Sequence, residues 1–362
     1  MRLVSTSMLR EGIELAKPIY DGKGRVLVQR NVKLTNRMVN RLKSSGITYV
    51  YMRDKFTEDI LITPPISAEE RLDAVNKIKT SFQSIESKDI KNASHLMDAA
   101  SEQMNDIVKG LIGNLYEQEE VMHYLSDLLI IDDYVFNHSL NVTIYTLALA
   151  KELRYNKKDL QVIGLGSLLH DIGKVYIPQE ILNKEGKLTD TEFQIVKAHT
   201  EYGFEILRKS HSIPLLVAHC AFQHHERLDG SGYPRGLKED KIHPYAKILG
   251  IADVFDAVTS NRVYRKAMLP HEGIEILYQG ADSKFDKKLI DIFKRTVAIY
   301  PNGVTVGLSD GRKGIVIKQN HRYDVNPFIR IIEDNGETVQ PYDLDLSAYP
   351  NITIIQAHQP LI

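Results

Sequence analysis

The sequence predicts a mainly α-helical fold with a small α/β module at its N-terminal end and a small β module at its C-terminal end. Three observations predict it. Leu72, Val75 and Ile78, then Met97, Met104, Ile107 and Leu111, recur at threes, fours and sevens, the spacing of one helix face. Ser67 with Glu70, and Thr189 with Glu192, form capping-box patterns, in which a hydroxyl satisfies an orphan N–H while the glutamate reaches back. After Tyr300 the apolar period changes to two, at Val304, Val306 and Leu308 and again at Ile315 and Ile317, as in half-buried strands.

In chain order, residues 1–65 form the α/β module. Apolar pieces at 13–20 and 25–29 flank Asp21-Gly22-Lys23-Gly24, which is a hairpin signal. Thr35 caps a short helix reaching Leu42, Gly46 ends it, and residues 47–52 return as a strand. Residues 61–65, closed by two prolines, read as a linker. Residues 66–130 follow as a helical connector whose amphipathic spacing suits packing or a homodimer formed through its helices.

Residues 131–299 hold the side chains that can carry chemistry. His138 precedes the apolar run 140–153, and the segment 165–174, LGSLLHDIGK, ends an apolar element on His170 and Asp171 with Gly173 and Lys174 behind them. Thr189 opens a helix on which Phe193, Val196, His199, Gly203 and Ile206 share a face, so His199 points inward. Pro214 suits the first turn of a helix over 212–226, with Val217, Ala221 and His224 facing the interior and His225 beside them. Three glycines and a proline make residues 229–236 a loop, and a helix over 245–260 sets Leu249, Asp253, Asp256 and Ser260 in one row. Residues 300–362 form the β module, with turns at Asp310-Gly311 and Asn335-Gly336 and strands at 328–332 and 352–355.

Bulk properties exclude several functions. A net charge of -1 over 362 residues gives no cationic surface to capture duplex nucleic acid or an anionic membrane. No run is long and apolar enough to span a bilayer, and the single cysteine, Cys220, forms no intrachain disulfide. The expected location is the cytoplasm. Cys220 lies in no nucleophile motif and reads as a small buried apolar residue; His95, His123, His211, His219, His243, His271, His321 and His358 stand apart from the cluster and read as structural or solvent-facing.

A buried carboxylate is costly unless paired or bound to metal, and imidazoles with carboxylates suit iron, manganese or zinc. His138, His170, Asp171, His199, His224, His225 and Asp253 are too many for one tetrahedral zinc. They suit two divalent metals that share Asp171 as a bridge and hold a water between them, an arrangement fitted to phosphoester hydrolysis.

These residues resemble the HD phosphohydrolase superfamily. His199, the run His224-His225-Glu226, the loop Asp229-Gly230-Ser231-Gly232-Tyr233-Pro234 and the Asp253 helix with its Arg262 and Arg265 look like the HD-GYP subfamily of cyclic di-GMP phosphodiesterases, over residues 131–295. The resemblance implies an all-helical core, the seven metal ligands above, and Fe or Mn as the metals. It implies that Lys174 lies near the scissile phosphate and that Arg262 and Arg265 hold phosphate or guanine. It places Tyr233 at the mouth of the site, in a loop that contacts substrate or partner proteins, while Asp256 orients a ligand. The implied reaction is hydrolysis of cyclic di-GMP to linear pGpG, with the step onward to GMP left open; another cyclic dinucleotide such as 3',3'-cGAMP, or a weakly active sensor module, is the alternative. One departure stands out: Tyr134 occupies the position where some members carry a glutamate that helps hold a third metal. Every proposed ligand lies within 118–295, so that stretch is expected to suffice for hydrolysis.

Overall fold

The computed structural model describes residues 1–20, 25–45, 47–60, 66–86, 88–117, 134–184, 186–260, 268–320 and 326–357. The hairpin turn at 21–24, Gly46 and the linker at 61–65 therefore lie outside the described residues. The N-terminal module contains β1 (Arg2–Ser5), β2 (Ile19–Tyr20), β3 (Val26–Val28), α1 (Asn36–Ser44) and β4 (Tyr49–Met52). β1 pairs antiparallel with β4 and β2 with β3, and the Thr35 hydroxyl caps α1 by accepting from Met38 N.

Two long helices follow, α2 (Ala68–Ile85) and α3 (Ile90–Glu117). The capping box at the start of α2 is formed, with Glu70 N on Ser67 Oγ at 3.1 Å and Ser67 N on Glu70 Oε2 at 2.8 Å. The helices after them are α4 (Tyr134–Glu152), α5 (Lys157–Leu168), α6 (Gln179–Leu182), α7 (Asp190–Lys197), α8 (His199–Arg208), α9 (Leu215–Gln223), α10 (Pro244–Thr259), α11 (Pro270–Gln279) and α12 (Lys287–Thr296). α4 is buried nearly all round, through Leu140, Val142, Leu147 and Leu149, which makes it the axis of the bundle. α2 and α3 are part of that same core: Phe82, Met97, Met104 and Val108 pack in one apolar cluster with residues of α4, α5 and α10. No helix among the described residues is long and apolar enough to cross a membrane.

The C-terminal sheet comprises β5 (Thr305–Leu308), β6 (Arg312–Lys318), β7 (Phe328–Asp334), β8 (Glu337–Asp345) and β9 (Ile354–Ala357), antiparallel in the order β8-β7-β6-β5-β9. β8 is absent from the sequence reading. It is an edge strand with little apolar alternation, and Pro341 within it is tolerated because an edge leaves one side of the ladder unpaired. The two ends of the chain meet: Leu3, Tyr51 and Ile60 join Val306, Ile315 and Ile329 in one cluster, and Leu3 N bonds Gly303 O at 2.9 Å.

One expected helix is two. α7 ends at Lys197 and α8 starts at His199, and Phe193, expected on the inward face, is 43% exposed. At the break the His199 imidazole donates Nδ1–H to the Val196 carbonyl at 2.6 Å, a side-chain bond that competes with the helical ladder. The helix expected over 212–226 spans Leu215–Gln223, and at its end His224 Nδ1 donates to Ala221 O at 2.9 Å in the same way.

Candidate metal centre

The centre is built at helix ends. α5 stops at Leu168, leaving His170 and Asp171 in a turn, and the tight turn Ile172–Tyr176 carries Lys174 back across them. Gly173 is obligatory there: a Cβ on it would lie 1.9 Å from the His199 carbonyl oxygen, so only glycine lets this turn rest against the start of α8. His199 is the first residue of α8, His224 closes α9, and Asp253 and Asp256 project from α10 toward His138 on α4.

Three of the imidazoles are fixed in one tautomer by the helix that immediately precedes each of them. His170, His199 and His224 each donate Nδ1–H to the backbone carbonyl three residues earlier, those of Ser167, Val196 and Ala221, at 2.7, 2.6 and 2.9 Å. A neutral imidazole protonated at Nδ1 carries its lone pair on Nε2. Those lone pairs converge: His199 Nε2 and His224 Nε2 are 3.4 Å apart, and Asp171 Oδ1 lies 3.4 Å from the first and 3.9 Å from the second. His170 Nε2 and Asp171 Oδ1 are buried with no hydrogen-bond partner. Acceptors facing acceptors in a dry interior repel, and each orphaned buried group costs about 1–3 kcal/mol. A cation among them removes both penalties, so the donor set fits divalent metal.

Asp171 divides its two oxygens between two groups of ligands. Oδ1 faces His199 and His224, while Oδ2 lies 3.3 Å from His170 Nε2 and 3.6 Å from His138 Nε2. Among the described residues, His138, His170 and Asp171 form one potential metal-binding group and His199, His224 and His225 another, with ligating atoms inside each group within 4.8 Å of one another. Asp253 also spans the two, with Oδ1 3.2 Å from His138 Nε2 and Oδ2 3.7 Å from His225 Nδ1.

The electrostatics match lone-pair donation. Burial pushes His199 down to about 4 and drives His224 and His225 well below the usual histidine range, so all three are neutral at pH 7. Burial resists ionisation of Asp171 and Asp253, but the neighbouring His170 and Lys174 around the first, and the hydrogen bond from His138 to the second, hold both well below the usual carboxylate range. His138 differs: burial pulls it down, yet its hydrogen bonds to Asp253 and Asp256 outweigh that and raise it to about 9.

The rim is aromatic and basic. The Tyr233 ring stacks on His225 with centroids 4.6 Å apart, and burial with the nearby Asp253 and Asp171 charges raises its phenol well above the usual range. Lys174 donates to Asp171 Oδ2, and Lys197 lies 5.3 Å from the Tyr233 ring centre. Glu226 is buried and accepts from Arg235 N and Leu237 N at 2.9 and 2.8 Å, so its carboxylate holds the glycine loop in place. Arg262 and Arg265 lie outside the described residues, as do Asp132 and Asp133; Tyr134 is the first residue of α4.

Most of the residues singled out from the sequence thus converge; Asn141 was missed, and Glu226 was noted only within its motif. Asn141 Nδ2 donates to Asp256 Oδ1 at 3.0 Å, and its signal was its place three residues after His138, on the same side of α4. The structural task of Glu226 leaves no trace in spacing, since its partners are backbone amides 9 and 11 residues away. Cys220 is buried, and burial pushes its thiol up to about 12, as suits an inert packing residue.

The family model described as HD domain covers residues 124–289. Over 227 residues the chain is 36% identical to a cyclic di-GMP phosphodiesterase of Pseudomonas aeruginosa, an alignment spanning 63% of this chain and 55% of that protein. It is 36% identical over 172 residues to the 3'3'-cGAMP-specific phosphodiesterase 3 of Vibrio cholerae, covering 48% of this chain and 37% of the relative. It is 39% identical over 193 residues to a cyclic di-GMP phosphodiesterase of Thermotoga maritima, covering 50% and 52%. The chain therefore spans between 37% and 55% of the length of these relatives. The matched residues lie over the helices that bring His170 and Asp171 to the centre, and over residues 124–289 the chain is similar to the HD domain family.

Proposed function

We propose that this protein is a metal-dependent phosphodiesterase that hydrolyses cyclic di-GMP to linear pGpG. The observation that carries the reading is the nest of facing acceptors, His199 Nε2, His224 Nε2 and Asp171 Oδ1, none of which has a proton to give the others. Similarity to the Pseudomonas aeruginosa and Thermotoga maritima enzymes supports the substrate, and similarity to the Vibrio cholerae enzyme keeps 3',3'-cGAMP as the second reading.

Two divalent metals, Fe or Mn, would be held by His138, His170, Asp171 and Asp253 on one side and by Asp171, His199, His224 and His225 on the other. When bound, they supply Lewis acidity at phosphorus and make water a usable nucleophile at neutral pH. In the reaction, the water oxygen bonds to phosphorus, the bond from phosphorus to the 3' oxygen breaks, and that oxygen leaves as the 3'-hydroxyl. Asp171 keeps the two ligand groups in register, and Asp256 holds His138 by its Nδ1–H. Lys174, at the lip beside Asp171, meets the scissile phosphate as a point charge. Tyr233 and, beyond it in sequence, Arg262 and Arg265 contact the substrate, and the Gly232-Tyr233-Pro234 loop offers a surface to protein partners. The α2–α3 region remains the proposed place for a homodimer contact.

The test is a panel of cyclic dinucleotides incubated with Fe(II)- or Mn(II)-loaded full-length protein. Fastest turnover of cyclic di-GMP supports the reading; preference for 3',3'-cGAMP moves the assignment to the second reading, and no cleavage of any cyclic dinucleotide overturns both.

A further inference from the structure

α2 lies outside the residues matched by the HD domain model, yet it reaches the metal centre. It packs on the start of α4 through Phe82, whose ring meets that of Phe136 edge to face at 5.7 Å. From its first turns the Arg71 guanidinium donates to Asn141 Oδ1. Asn141 Nδ2 donates to Asp256 Oδ1 at 3.0 Å, Ser260 Oγ donates to the same oxygen at 2.9 Å, and Asp256 Oδ2 accepts His138 Nδ1–H at 2.6 Å. Asn141, Asp256 and His138 are all buried.

We propose that Arg71 is a positioning residue for His138, so that α2 forms part of the metal centre. The physical basis is the two-faced amide of Asn141. Turned one way, its NH2 meets the Asp256 carboxylate; turned the other, an oxygen meets an oxygen in a dry interior. Arg71 has donors and no acceptor and keeps its charge at any working pH, so it can face the amide oxygen only. It therefore selects the rotamer that satisfies Asp256 Oδ1, which leaves Oδ2 to hold the His138 ring with Nε2 aimed at Asp171 and Asp253. A movement of α2 that withdraws Arg71 releases the amide to turn and loosens His138. This rests on the reading of His138 as a metal ligand.

The experiment uses full-length protein stripped of metal and titrated with Mn(II) alone. Arg71→Ala should weaken Mn(II) binding about tenfold, the low end of what outer partners of metal ligands contribute. Arg71→Lys, which restores a cation facing the amide oxygen, should recover most of that loss. Asp73→Ala, on the exposed side of the same helix, should leave binding unchanged. To separate positioning from general damage to the fold, the same Arg71→Ala change is made in an Asn141→Leu background, where no amide remains to orient; there it should have almost no further effect. Wild-type affinity in Arg71→Ala, no recovery with lysine, or an undiminished tenfold loss in the Asn141→Leu background would overturn the relay alone. A wild type that takes up no Mn(II) would overturn the metal reading and the relay together.

Discussion

Asp256 grips His138 with one oxygen, accepting Nδ1–H at 2.6 Å, while its other oxygen is held by Asn141 and Ser260. The carboxylate thereby fixes both the tautomer and the direction of a metal-capable imidazole. Asp256→Asn can keep the bond from His138 only by turning its NH2 toward the Asn141 NH2, and can keep the Asn141 and Ser260 bonds only by turning it toward His138. Metal affinity should fall roughly 10–100-fold, as measured by Mn(II) titration of metal-free protein; unchanged affinity would mean that His138 is oriented by packing alone.

Asp171→Ala removes the one carboxylate whose two oxygens face the two ligand groups. Bound metal should drop and turnover of cyclic di-GMP should fall by about a thousandfold or more, because several kcal/mol of charge stabilisation depart with the metals. Elemental analysis beside the rate measurement checks this, and near-normal values of both would refute the bridge.

Metal uptake should release a proton near neutral pH. His138 is raised from 6.5 to about 9, so in metal-free protein it carries a proton at pH 7 that a metal on Nε2 must displace. The sign follows: in metal-free protein the protonated His138 contributes stability in full below its ordinary value, lost as pH rises through about 9, whereas Mn(II) affinity climbs over the same interval. Calorimetric titrations at pH 7.5 in buffers of different ionisation enthalpy report the proton count. A count of zero would show that His138 is already neutral.

Tyr134 sets the expected metal number at two. It stands four positions before His138 in the sequence, and a tyrosine's phenol, with an ordinary pKa near 10, disfavours an anionic ligand at neutral pH. Anaerobically purified protein should contain about two metals per chain, with pGpG accumulating before GMP appears. Three tightly held metals would contradict the argument from this residue.

A chain shortened to residues 118–295 retains every proposed ligand but loses α2 and α3, whose Phe82, Met97, Met104 and Val108 are buried against α4, α5 and α10. Uncovering that face should make the fragment aggregate or unfold, with a loss well beyond the 2–5 kcal/mol of a single large-to-small core change. This revises the expectation that the stretch suffices. A monomeric fragment with the thermal midpoint of the full chain would restore it.

The sequence alone carried the chemistry. His138, His170, Asp171, His199, His224, His225 and Asp253 could be picked out because buried imidazoles and carboxylates are costly without a partner, so their recurrence at inward helical positions points to metal as the expected ligand. It carried the helical core, the capping boxes and most strands as well, because periodicity and caps act over three or four residues. Tertiary structure decided what depends on groups far apart in the chain. The division of Asp171 between two ligand groups needs α4, α5, α8 and α9 in place, and the break between α7 and α8, where the His199 imidazole bonds the Val196 carbonyl, leaves no mark in an apolar pattern. β8, polar and with Pro341, is a strand only because β7 lies beside it. The meeting of Arg71 with Asn141, 70 residues on, is set by how α2 packs against α4, and local propensity does not report how two helices pack together.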